Sequence, residues 1–312
     1  MNSTELLAEY RLHLLRLGRS PGTLKQRLGD LSRLHAHAGP LEDITKTVLE
    51  QHLDLHSAEW SPAYRKKVYA SYRSFFQWAR KRKLIAQNPS RGLETVRVPR
   101  YLPRPAPEDV VLDAFDKAST VEAAMLCLGA TQGLRRSEIA AAHPAQRDGM
   151  SLRVIGKGSK ERLVPLDPLT LSLLEQLESE QGCDDYYFRG RFGGHVHPAT
   201  VYKWLKQHLG TGWSTHNLRH RAASHGLRET HDLRGVQELL GHASLATTQI
   251  YTEVSTEQLT SIVTANSLRT KVIERRLSQT LLNTNVPATV TDADVQQAMR
   301  VLAHHLSLVQ DG

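Results

Sequence analysis

The chain has 312 residues, a formal net charge of +8 and a sequence pI of about 9.5. That length allows two ordinary domains with cores of their own, and the charge favours a polyanionic partner over a neutral or acidic one. The two cysteines, Cys127 and Cys183, form no CxxC pair, so neither a zinc site nor a disulfide framework is expected. The opening MNSTELLAEYRLHLLRLGRS is charged and amphipathic, unlike a signal peptide, and no apolar run approaches the ~20 residues of a membrane span. A cytoplasmic protein without a membrane partner is the expectation.

The basic excess is confined to the front of the chain. Residues 1–105 carry 19 Lys and Arg against 9 Asp and Glu, the remainder 21 against 23. Residues 1–84 read as helices. STELLAEYRLHLLRLG starts at a Ser3 or Thr4 cap and lines up Leu6, Leu7, Tyr10, Leu14 and Leu17. SPGTLKQRLGDLSRLHAHAG repeats the pattern and stops at Gly39-Pro40. TKTVLEQHLDLHS supplies a third helix. In the fourth, SPAYRKKVYASYRSFFQWARKRKLI, Val68, Tyr72, Phe75, Phe76 and Trp78 read as core rather than as base-stacking groups. Around them Arg65, Lys66, Lys67, Arg73, Lys81 and Arg82 are candidate contacts to DNA phosphates, which position a protein without reading sequence. Residues 85–106 hold Pro89, Pro99, Pro103 and Pro105 with Arg91, Arg97, Arg100 and Arg104, an extended basic linker.

From Pro107 the pattern changes. PEDVVLDAFDKAS and TVEAAMLCLGATQGLRRSEIAAAH read as helices, with Cys127 in the core. GMSLRVIGKG and KERLVPLD read as a β-hairpin turning at Gly-Lys-Gly-Ser. PLTLSLLEQLESEQG, PATVYKWLKQHLG, LRHRAASHGLRE, DLRGVQELLG and SLATTQIYTEV return to helix. Residues 107–265 are therefore a mainly α domain with a small β-hairpin or sheet, and residues 266–312 a tail. In that tail Val295, Met299, Leu302, Leu306 and Val309 follow the 4-3-4-3 spacing of a coiled-coil seam, behind a Thr291-Asp292 start. The tail has two readings of equal weight, packing on a neighbouring protomer or folding back on its own domain.

Five stretches of this second part carry unusual polar residues. In GLRRSEI, Arg135 and Glu138 lie three apart, so the carboxylate can hold the guanidinium. Lys157 sits at the tip of GKGSKERLVPL. HNLRH places His216 and Arg219 on one face of a helix start. LLGH ends in His242, and Tyr251 follows nine residues later. Each alone has an ordinary reading: a surface ion pair, a turn lysine, a helix cap, a core histidine, a core tyrosine.

Taken in this order, Arg, Lys, His-x-x-Arg, His and Tyr, the set resembles the tyrosine site-specific recombinases, the family of phage integrases, Xer recombinases and Cre. GLRRSEI is similar to the family's G-L-R-x-S-E-L box, GKGSKERLVPL to G-K-G-x-K-x-R-x-V-P-L, and LLGHASLATTQIYTEV to L-L-G-H-x-x-x-x-T-T-x-x-Y. SPGTLKQRLGDLSRL and SFFQWARKRKLIAQNP resemble its SAM-like core-binding helices, so the likeness runs over about residues 5–262. The resemblance implies a helical core-binding domain, a catalytic domain, and cleavage of double-stranded DNA through a 3′-phosphotyrosine on Tyr251. Arg135 and Arg219 would clamp the non-bridging oxygens, Lys157 would protonate the leaving 5′-oxygen, and His216 would move the tyrosine's proton. His242 would donate to the phosphate, and Glu138 would support Arg135.

The chemistry is coherent on its own terms. A phenol is a poor nucleophile at neutral pH and needs a cationic pocket and a base. The phosphotyrosine keeps the bond energy, so neither ATP nor a metal is expected as cofactor, and no Walker motif occurs. The resemblance further implies core-type attachment sites, a monomer off DNA, a homotetramer in the synapse and a possible directionality factor. It starts almost at residue 1, so no arm-binding domain is expected. Where the family has Thr-Gly before the first arginine, this chain has Gln132-Gly133. Arg136 stands where an apolar residue is usual, and AAAHPAQRD offers Ala142 and a displaced Asp148 in place of L-x-x-x-D. The long tail and these departures favour a phage or mobile-element integrase, with Xer-type dimer resolution as the alternative. A catalytically inactive DNA-binding accessory protein is the rival from another class.

Overall fold

The computed structural model describes residues 2–94, 96–99, 102–156, 160–241 and 254–283. They form two compact units, which divide between Leu102 and Pro103.

The first unit holds four helices: α1 (Ser3–Arg16), α2 (Pro21–Ala38), α3 (Lys46–Leu55) and α4 (Pro62–Lys81). Their starts follow from hydroxyl and amide caps. Ser20, Thr45 and Ser61 each accept from a backbone N–H three residues on. In α1 the cap is Asn2, one residue ahead of the expected Ser3 or Thr4, and Glu5 returns the bond to its amide. Ser3 is used elsewhere: its hydroxyl accepts from Leu41 N at 2.8 Å and donates to Glu42 at 2.7 Å. The aromatic residues of α4 are core, as their spacing predicts. Tyr72, Phe75 and Phe76 are fully buried, and the Tyr10 and Phe75 rings meet edge-on at 5.2 Å. Each such side chain contributes roughly 1.5–3 kcal/mol. One carboxylate lies inside: buried Asp30 of α2 accepts from Ser71 Oγ of α4 at 2.6 Å and also from Arg33. The chain stays attached to this core past α4, because Ile85 and Leu93 are buried in it and Arg73 donates to the Leu93 carbonyl. The free part of the proline-rich stretch is therefore shorter than its composition implies.

The second unit is built round α6 (Thr120–Ala130), in which every residue from Ala123 to Ala130 is buried. A helix apolar on all sides belongs inside a domain. Around it pack α5 (Glu108–Asp116), α8 (Pro168–Gln181), α9 (Pro198–Leu209) and α10 (Thr215–Thr230). The run expected as continuous helix through GLRRSEI breaks. Thr131 to Leu134 form a turn with Gly133 at φ +69°, and a short α7 (Arg136–Ala140) follows. The sheet is three-stranded and antiparallel: β1 (Arg147–Asp148), β2 (Ser151–Ile155) and β3 (Glu161–Pro165), in that order. Its hairpin pairs Ile155 with Glu161, and Gly156 N donates to Lys160 O at 2.7 Å, so the expected hairpin forms up to the mouth of its turn. After α11 (Leu233–Leu240), two helices close the unit: α12 (Thr256–Asn266), which the sequence pattern did not reveal, and α13 (Arg269–Asn283). α13 lies on α5 through Lys271 to Glu108 (2.9 Å) and Arg275 to Asp116 (2.8 Å). The tail's seam residues 295–309 lie outside the described residues.

Candidate active site

The site begins at the broken helix. Arg135 is the N-cap residue of α7, and Glu138, three residues on, accepts its amide at 2.8 Å and its guanidinium at 2.7 Å. The expected pair therefore forms, as a capping arrangement rather than a pair within one helix. Gly133 is required at the turn before it. Its φ is +69°, and a Cβ there would stand 2.5 Å from Leu240 Cδ2.

Glu138 is buried and holds a second arginine that the sequence analysis gave no role. Arg162 of β3 donates to Glu138 Oε1 at 3.1 Å and Oε2 at 2.9 Å. Four donors thus saturate one carboxylate. Burial pushes the Glu138 carboxyl up, but the hydrogen bonds and charges of Arg162, with those of Arg135, outweigh it and hold the group below its ordinary value. The signal was present in the strand: Arg162 shares a face with buried Val164, and a charge on an inward face requires a partner.

Arg219 of α10 is buried too, 7% exposed. It donates to Gly133 O and to Leu240 O, each at 2.6 Å. Burial, then the charge of Arg135, lower its guanidinium to about 10, which still leaves it protonated at neutral pH. His216, one turn earlier, is exposed, with its ring 4.2 Å from that of His220.

Arg135, His216 and Arg219 line one open cleft of about 390 Å³, together with Arg136, Ser137, Tyr202, Ser214 and Thr215. The N-terminus of α10 opens on it, so helix dipole and side chains both favour an anion. Arg136, the departure from the family pattern, stands exposed at the cleft with its guanidinium 6.0 Å from the Tyr202 ring centroid. Gln132, the other departure, is buried away from the cleft and donates to Asp167 at 3.0 Å, which also accepts from Ser267 at 2.6 Å. It acts in the frame that joins α6 to the segment before α13.

Lys157, His242 and Tyr251 lie outside the described residues. Their immediate neighbours are described: Gly156 and Lys160 at the hairpin mouth, and Gly241, which ends α11 in the left-handed conformation at φ +61°. In the first unit Lys66, Lys67, Lys81 and Arg82 are exposed, whereas Arg65 and Arg73 are half-buried and Arg73 is engaged with Leu93.

The chain is similar to known proteins over most of its length. The Phage integrase family matches residues 108–258. The tyrosine recombinase XerC of Myxococcus xanthus is 32% identical over 286 residues, covering 82% of this chain and 95% of that protein. XerC of Escherichia coli O157:H7 (strain EC4115 / EHEC) is 37% identical over 218 residues, 65% of this chain and 73% of that one. Among solved structures, a lambda integrase dimer bound to a COC′ core site aligns with a TM-score of 0.64 at 17% identity, over 81% of each chain. XerH bound to its difH substrate before cleavage aligns at 0.55 and 22% identity, over 77% of each. At those identities the two structures speak to the fold.

Proposed function

The chain belongs to the tyrosine recombinases, enzymes that cleave and rejoin DNA, and on that premise we propose that it is a site-specific recombinase with Tyr251 as nucleophile. The observation that carries the reading is the convergence of Arg135, His216 and Arg219 on one cleft at the N-terminus of α10. The Tyr251 oxygen attacks the scissile phosphorus, the bond to the 5′-oxygen breaks, and a 3′-phosphotyrosine forms. Lys157 gives a proton to the departing 5′-oxygen, and His216 takes the one leaving the tyrosine. Arg135 and Arg219 face the charge that gathers on the non-bridging oxygens, from a frame already fixed before substrate arrives. His242 adds a hydrogen bond there, and Glu138 holds Arg135 in place. Attack by the 5′-hydroxyl of another strand reverses the step and exchanges partners. Lys66, Lys67, Lys81 and Arg82 supply phosphate contacts in the first unit, and a synapse of four protomers, with or without a directionality factor, completes the proposal.

Two biological roles fit this chemistry. The tail and the box departures favour integration and excision of a mobile element. The naming of the relatives as XerC favours an Xer-type role in resolving DNA multimers, and it outweighs the first argument because it rests on most of the chain's length. Both are tested together by covalent trapping on nicked duplexes tiled across the genome that carries the gene. An SDS-stable adduct with wild type and none with Tyr251→Phe is expected. An adduct confined to the flanks of its own gene selects the integrase role, and one at a single remote chromosomal site selects the Xer role. Tight binding by both proteins without any adduct overturns the recombinase reading in favour of an accessory DNA-binding protein.

A further inference from the structure

The last three residues before His242 are held by three different arginines. Arg162 Nε donates to Leu239 O at 2.9 Å, Arg219 Nη2 to Leu240 O at 2.6 Å, and Arg135 Nη2 to Gly241 O at 3.1 Å. These are carbonyls at the C-terminus of α11, which lack helical partners and carry the negative end of the dipole. Two of the three arginines face the cleft, so they serve substrate and frame at once. Arg162 does not line it. Its donors are divided between Glu138 and Leu239 O, and its side chain is 9% exposed. Gly241 lies directly over it: a Cβ there would come within 3.1–3.3 Å of the Arg162 guanidinium.

The geometry points to Arg162 as a positioning residue that ties the β-hairpin carrying Lys157 to the segment carrying His242, through Glu138 and the Leu239 carbonyl. This rests on the recombinase reading for its catalytic consequence, though the physical link does not. Arg162 lies five residues after Lys157 on the return strand of the same hairpin. A shift of β3 is therefore felt by Glu138, and through Glu138 by Arg135, and by the end of α11. One rigid fork reaches both partners because guanidinium donors are planar and fixed relative to one another. A lysine, a single point charge, reaches one of them at a time. The mouth of the hairpin at Gly156 and Lys160, the phosphate-binding arginine and the end of α11 then share one reference point.

The test compares wild type, Arg162→Ala, Arg162→Lys and, as a control on the exposed side of the hairpin, Arg153→Ala, all as full-length chain. Amide hydrogen exchange over residues 233–241 reads the link without DNA. The rate of single-turnover adduct formation and the Kd, both on the duplex that traps wild type, read its consequence. Arg162→Ala should exchange the amides of residues 239–241 at least about ten-fold faster and form adduct about 10- to 100-fold more slowly, with its Kd within about two-fold of wild type. Arg162→Lys should fall between, and Arg153→Ala should exchange as wild type does. Wild-type exchange in Arg162→Ala overturns the link. A Kd that weakens as much as the rate does also overturns it, since that marks a DNA contact or a general loss of fold. If wild type forms no adduct on any duplex, the recombinase reading has failed, and the exchange experiment alone still decides whether Arg162 holds the end of α11.

Discussion

In the first unit Lys66, Lys67, Lys81 and Arg82 stand exposed over a core of Tyr10, Tyr72 and Phe75, whereas in the second unit Arg162, Arg219 and Arg221 are turned inward. Arg221 lies at 2.8 and 2.9 Å from the two oxygens of Glu108, and it also donates to Ala130 O at 2.9 Å. Burial raises the Glu108 carboxyl, and Arg221 and Lys271 more than reverse it. The contrast separates two uses of the same side chain. Exposed cations attract a polyanion and tolerate approximate placement. Buried ones bind backbone carbonyls and carboxylates in one geometry, and they fix where reacting groups stand. The first unit keeps its exposed cations apart from an aliphatic and aromatic core, while in the second the bonds that hold the buried arginines also set the site geometry.

The sharpest way to break this contrast is to remove the shared carboxylate. Glu138→Ala strands Arg135 and Arg162 together. Because Glu138 and Arg162 are buried, the loss should be about 3–5 kcal/mol, read as a lowered urea midpoint of the second unit's transition. Glu138→Gln should lose less, since it keeps one of the two accepting oxygens, its amide nitrogen being unable to accept from the arginines. In the first unit the comparable loss comes from packing: Phe75→Ala should cost about 3–5 kcal/mol, in a transition that leaves the α10 and α11 amides protected in hydrogen exchange.

A smaller effect sharpens the comparison through pH. His52 of α3 is 1% exposed, and burial, followed by the charges of His56 and His37, lowers its imidazole to about 4. The native state keeps it neutral, whereas the unfolded chain takes a proton near pH 6.5. Its contribution is thus present above about pH 6.5 and is lost as pH falls towards 4, on the order of 1–3 kcal/mol in all. Thermal melts of wild type and His52→Gln should converge as pH falls from 7 to 4.5, and parallel curves would contradict the assignment. The mildest change is on the surface. Lys66→Ala and Lys67→Ala should leave stability within about 0.5 kcal/mol and weaken DNA binding alike on all sequences. Each should also reduce the magnitude of the slope of log K against log salt by about 1.

How much of this was legible in the sequence depends on range. Local signals carried furthest: the Ser-Pro start of α2, the aromatic spacing of α4, the hairpin alternation, and Arg135 three residues from Glu138, whereas the expected Ser3 or Thr4 cap of α1 gave way to Asn2. The ordered boxes led to the family, and the alignment with XerC along most of the chain supports them. What stayed hidden depends on contacts distant in sequence. Arg162 meets Leu239 O across 77 residues, and no local pattern encodes that pairing. The break between α6 and α7 was masked because ATQGLRR holds no proline and a lone glycine is tolerated in a helix, and the left-handed Gly133 against Leu240 shows why it turns. α12 went unrecognised since TEQLTSIVTAN is polar on most faces. Its buried residues, Ile262, Val263 and Asn266, make sense only against α10, where Asn266 donates to Ala222 O at 3.0 Å.

The measurement that tests the central claim most directly is the location of the covalent bond. The trapped wild-type adduct is digested with nuclease and protease, and the peptides are sequenced by mass spectrometry. The account predicts a phosphonucleotide on Tyr251, and no such peptide from Arg219→Ala protein, whose frame at Gly133 and Leu240 is lost. A nucleotide on any other tyrosine or on a serine would contradict it.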